Sequence, residues 1–128
     1  MRVLFEDGYL RARLGVEEVK TLVDGSMVQT TLSFGSQRQH RFELRLIFGR
    51  LDHAFCTSAA GALRIELPRE WLVGWDEDDR EGFSFTLPVE GEAPIRVEVQ
   101  KDYACTTPRP GCSDPAADRF PRPEPPSE

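Results

Sequence analysis

Apolar residues recur at every second position through most of the chain. This spacing fixes what the chain can fold into, because successive side chains of a strand point to opposite faces. Leu10, Ala12 and Leu14 alternate with Tyr9, Arg11 and Arg13. Val28, Thr30, Leu32 and Phe34 share one face of a predicted strand, and Phe42, Leu44, Leu46 and Phe48 share one face of the next, with Arg41, Glu43 and Arg45 opposite. Leu51–Thr57 and Leu63–Leu67 follow, and Phe83, Phe85 and Leu87, then Ile95, Val97 and Val99, close the series. Asp7-Gly8 is a two-residue hairpin signal, so the chain opens on a hairpin. Short strands with turn signals at roughly 8–12-residue spacing predict a mainly antiparallel curled sheet or small β-barrel with one wet face.

Two segments break the alternation. Val16, Val19, Leu22 and Val23 follow helical spacing, Glu17 and Glu18 sit in the first turn, and Gly25 stands as a stop, which predicts a short amphipathic helix. Pro68 suits the first position of a second helix that buries Trp71, Leu72 and Trp75. The fold class expected is therefore α+β, two short helices closing a curled sheet.

At 128 residues, 39% of them hydrophobic, the chain supplies one core and no more. No segment approaches the roughly 18 apolar residues of a membrane span. Charges at 2, 6, 7, 11, 13, 17, 18, 20 and 24 argue against a signal peptide, so a cytoplasmic protein is expected. Residues 1–105 carry 13 Lys and Arg against 18 Asp and Glu, which argues against a nucleic-acid partner, since that needs a basic stripe. Five of those carboxylates lie in Asp76–Glu81, a predicted solvated turn without the ligand spacing of a calcium loop.

Seven of the ten prolines fall between 108 and 128. Proline fixes φ and donates no hydrogen bond, so this stretch reads as an extended strap. The division expected is a packed α+β domain over 1–105 and a Pro-rich extension over 106–128. The first part of that extension would lie on the domain, with Phe120 as an apolar pin. Cys56, Cys105 and Cys112 are expected as free thiols in a reducing compartment. His53 and Cys56 are three apart, which on a strand sets them on opposite faces, and no CxxC pair occurs, so no metal site is expected.

Chemistry-bearing motifs are scarce. There is no glycine-rich phosphate loop, GxSxG elbow or HExxH helix, and neither His40 nor His53 lies in a recognisable motif; His53 reads as a partly buried strand residue. No catalytic residue and no cofactor is expected. What stands out is cationic. Arg11 and Arg13 share a strand face, and Lys101 ends the last strand beside Asp102. Should those two strands be neighbours, two guanidiniums and an ammonium would form an anion or carboxylate pocket. The simpler alternative is that Arg11 and Arg13 pair with Glu17, Glu18 or Glu98 on an exposed face.

The order Gly8-Tyr9-Leu10-Arg11-Ala12-Arg13-Leu14, Glu18-Val19, Lys101-Asp102-Tyr103-Ala104-Cys105, Asp118 and Phe120-Pro121-Arg122-Pro123 resembles a bacterial family of small uncharacterised proteins. Its members read approximately G-N-S-[IL]-R-[LF]-R-L-[ST]-x-x-E-V near the start and E-K-D-[FY]-x-C-L near the end. The likeness covers nearly the whole chain and implies no known activity. Tyr9 and Gly15 depart from the pattern, and Gly15 in place of a hydroxyl cap would weaken the first helix by up to about 1 kcal/mol. Cys56 and Cys112 lie outside the pattern. The matching polar residues Arg11, Arg13, Glu18, Lys101, Asp102, Cys105 and Asp118 come from both ends of the chain, which implies that the ends meet.

Three functional readings follow. The first is a small non-enzymatic binding or protein-interaction module using a wet sheet face or an open edge. The second is a small-anion or metal-responsive protein with a site near Arg11, Arg13, Lys101, Asp102, Cys105 and Asp118. The third is a cysteine-dependent enzyme. Neither the partner nor the oligomeric state follows from the sequence.

Overall fold

The strands assemble as two hairpin pairs built to the same plan. The structure, a computed structural model, describes residues 1–35, 41–50, 52–59, 61–88, 91, 93–103 and 120. In chain order the elements are β1 (Arg2–Glu6), β2 (Tyr9–Leu14), α1 (Val16–Val23), β3 (Val28–Ser33), β4 (Arg41–Gly49), β5 (Phe55–Ala59), β6 (Ala62–Pro68), α2 (Arg69–Leu72), β7 (Gly82–Leu87) and β8 (Ile95–Lys101). One sheet runs β1-β2-β8-β7 and the other β3-β4-β6-β5. Each joins two antiparallel hairpins through a central parallel pair, β2 with β8 and β4 with β6.

The first sheet therefore unites the earliest and latest of these strands in the chain, and the second uses those between them. The expected barrel does not form. Each hairpin puts its second strand at the centre of its sheet and its first strand at an edge, so both sheets stay open. Closure would need β1 or β7 to pair with β3 or β5, and they do not. The inner faces instead share one core: Leu10, Ala12, Leu14, Leu87, Val97 and Val99 from one sheet, Val28, Leu44, Leu46, Ile65 and Leu67 from the other. Val19 and Leu22 of α1, Leu72 of α2 and the fully buried Trp75 complete it.

Local sequence accounts for the turns. Gly8 takes φ +69° in the first hairpin, as that tight turn requires. At the end of α1, Gly25 takes φ +92°; its N–H donates to the Leu22 carbonyl and that of Ser26 to the Thr21 carbonyl, a Schellman stop. At the start, Gly15 has no side chain to cap with, and the reciprocal half remains: its N–H donates to Glu18 Oε1 at 3.1 Å. Glu18 also accepts from the N-terminal ammonium of Met1 at 2.8 Å.

Two local expectations are corrected. The strand expected from Leu51 begins only at Phe55, and His53 lies in a bend with its side chain 67% exposed, beside Asp52 at 3.0 Å. The acidic turn is also more than solvated. Arg80 within it donates through Nε to Asp78 Oδ2 at 2.7 Å, through Nη1 to the Trp71 carbonyl at 3.0 Å and through Nη2 to the Val73 carbonyl at 2.9 Å. One guanidinium thus folds the acidic run back onto the end of α2.

Candidate binding surface

The parallel pairing of β2 with β8 sets Tyr9 opposite Arg96, Arg11 opposite Glu98 and Arg13 opposite Gln100. The β1 hairpin sets Arg2 opposite Arg13, and Leu4 opposite Arg11. Directly paired residues share a face. The outer face of this sheet therefore carries Arg2, Arg11, Arg13 and Arg96, with Leu4 and Tyr9 among them. The alternates Leu10, Ala12, Leu14, Val97, Val99 and Lys101 are buried on the inner side.

Acidic partners on this face are unequally shared. Glu98 Oε2 accepts from Tyr9 Oη at 2.6 Å and from Gln100 Nε2 at 3.3 Å, while Oε1 accepts from Arg96 Nη2 at 3.1 Å. The pairing expected between Arg11 or Arg13 and Glu17, Glu18 or Glu98 is not what forms. Glu18 is held by Met1, Glu17 stands 3.9 Å from Lys20, and Glu98 is taken by its other neighbours. Among the described residues no ion pair reaches Arg11. Arg2 reaches Asp102 Oδ1 at 3.5 Å. Burial, then the neighbouring Arg11, pull the Arg13 guanidinium below its ordinary value; Asp102 opposes this and Arg2 adds to it. Among the described residues the cluster is thus like-charged and incompletely neutralised.

Lys101 does not join it. Opposite Leu14, it points inward with its side chain 3% exposed, and Nζ donates to the Asp78 carbonyl at 2.6 Å. The ammonium lies 5.0 Å from the Phe120 ring centre and 6.0 Å from that of Trp75, within cation–π range. Asp102 is bound on both sides through its backbone, donating to the Leu14 carbonyl and accepting from the Phe120 N–H, each at 2.8 Å. Phe120 packs on the core and meets Tyr103 edge to face at 6.4 Å. Cys105 and Asp118 lie outside the described residues, as does the strap apart from Phe120. Of the expected set, the structure brings together Arg11, Arg13 and Asp102, adds Arg2, and sends Lys101 to the other side of the sheet. The sequence signal for Arg2 is the two-residue turn at Asp7-Gly8, which sets Glu6 across from Tyr9 and hence Arg2 across from Arg13.

Cys56 lines a cavity of about 120 Å³ between the sheets, with Phe5, Leu10, Leu63, Leu87 and Val97 among its walls. Among the described lining residues there is no Lys, Arg or His that would activate the thiol.

Burial holds the Lys101 ammonium below its ordinary value of 10.5, against the pull of Asp78. Between its folded pKa and 10.5 the unfolded chain then binds more protons than the folded one, so stability rises with pH in that window. Tyr103, by burial, and Tyr9, by its bond to Glu98, titrate above 10.0, so beyond that pH the unfolded chain loses protons first and stability falls. Urea melts across the alkaline range should show a rise and then a decline near about pH 10. In Lys101→Met the rise should be absent and the decline retained.

A profile of a family of unknown function, DUF7009, matches residues 1–124. The chain belongs to that family. No curated protein and no solved structure matches it. The DUF7009 match runs from β1 past Phe120, so it takes in both chain ends that build the arginine face. Among the described residues, no helix of this DUF7009 chain is long and apolar enough to cross a membrane.

Proposed function

We propose that this DUF7009 chain is a non-enzymatic interaction module that holds an acidic, extended segment of a partner protein against the outer face of the β1-β2-β8-β7 sheet. The observation carrying this reading is the Arg2, Arg11 and Arg13 group, like-charged on one sheet face in a chain of net charge −6. Guanidiniums grip carboxylates through paired N–H groups. Leu4, half-exposed opposite Arg11, offers an apolar contact between them. Strand β1 stands at the edge of this sheet, on the same side as the arginines. A reducing cytoplasm suits the free thiol of Cys56.

Fluorescence anisotropy with a labelled oligoglutamate peptide tests this. Binding should weaken as salt is raised, and Arg11→Gln/Arg13→Gln should lose about tenfold or more in affinity. An oligolysine peptide should not bind. Equal affinity in the double variant, or none in the native chain, overturns the reading. Displacement of the peptide by inorganic phosphate at equal affinity would favour the small-anion reading instead.

A further inference from the structure

The longest stretch without a charge runs from Gly25 to Gln37, in a chain where 30% of residues are charged. It contains β3, an edge strand of the second sheet. Three of the six exposed large apolar side chains among the described residues, Met27, Leu32 and Phe34, lie on or beside that strand. Open edges are ordinarily protected by charges, proline or bulges, and Val-Gln-Thr-Thr-Leu-Ser has neither charge nor proline. The other edges differ: β1 exposes Leu4 and Phe5 but is flanked by the charges of Arg2 and Glu6, and β5 and β7 expose no large apolar side chain. The inner face of β3 also loses its cover along its length. Val28 is buried opposite Leu46, whereas Leu32 is 57% exposed and Phe34, just past the strand, 67%.

We infer that β3 pairs antiparallel with β3 of a second copy of this chain, joining two four-stranded sheets edge to edge. A second copy is the occupant favoured by charge. Two chains of net charge −6 repel wherever their acidic surfaces meet, and the uncharged run is where they approach without that repulsion. An antiparallel edge is also self-complementary about a two-fold axis. With the axis through Thr30, each copy sets its exposed Leu32 across from Val28 of the other and extends both inner faces. This inference is independent of the arginine face, which lies on the other sheet.

Sedimentation velocity of the full chain over a range of concentrations tests it. The native chain should approach twice the 14.5 kDa monomer mass as concentration rises. Gln29→Lys/Thr31→Lys changes two exposed positions of the strand and should stay monomeric. Thr86→Lys on edge strand β7 should dimerise as the native chain does. Amide exchange at 28–33 of the native chain should slow as concentration rises, a readout that does not depend on the variants folding. A monomer at every concentration, with exchange at 28–33 independent of it, overturns the inference. A folded lysine variant that still dimerises does so as well.

Discussion

Trp75→Ala should cost about 3–5 kcal/mol, enough to lower the melting temperature by roughly 10–20 °C. Trp75 is fully buried, and its ring lies 4.9 Å from that of Phe83, which also stacks on Trp71 at 5.6 Å. Its indole N–H donates to the Arg80 carbonyl at 3.1 Å, so the ring fills the core and fastens the acidic turn together. Truncation would open a cavity and free the turn that Lys101 and Arg80 are bonded to. Trp75→Phe should cost less, because it keeps most of the packing and loses the hydrogen bond. Thermal melts of the two variants beside the native chain check both. Equal losses would mean that the hydrogen bond to the turn, and not the buried area, carries the effect.

Gly82→Ala should destabilise by about 2–3 kcal/mol or more, although the backbone there is one that any residue adopts. The obstacle is proximity. A Cβ on Gly82 would overlap the Val99 carbonyl and come within 2.8 Å of Gln100 Cα. Both belong to β8, which is clamped between β2 and β7 and has no room to yield. Relief requires β7 to lift from its neighbour, which loosens Phe83 and Phe85 from the core. Gly49→Ala is the graded comparison, since its Cβ would meet the Leu67 carbonyl at 3.2 Å and needs only a small shift. Urea midpoints should fall clearly for the first substitution and slightly for the second; the reverse order would refute the steric account.

Much of the fold was legible in residue spacing, for a physical reason: period 2 states which face of a strand is apolar. Leu10, Ala12 and Leu14, Leu44 and Leu46, and Val97 and Val99 are all buried as their alternation requires. The first helix stops at Gly25 because only the left-handed region lets the chain turn there. Spacing does not say which strands meet across long distances, so the parallel pairing of β2 with β8 and the two open sheets were beyond it. Nor does it say how far the opposing layer extends. Leu32 and Phe34 follow the core pattern, yet lie past the end of that cover. The candidate surface was half legible. Arg11 and Arg13 stand on one face as expected, but Lys101 falls one position out of phase with them across the pairing and so turns inward.

The pairing of β2 with β8 also sets an order of events during synthesis. Strands β3 to β6 lie together in the middle of the chain and can form their sheet while the remainder is still being made. Strand β2 must wait with only β1 beside it until residue 101 has been made, because its second neighbour, β8, follows β3 to β7 in the chain. For that interval the inner face of the first hairpin, with Leu10 and Leu14, is without its partner strand.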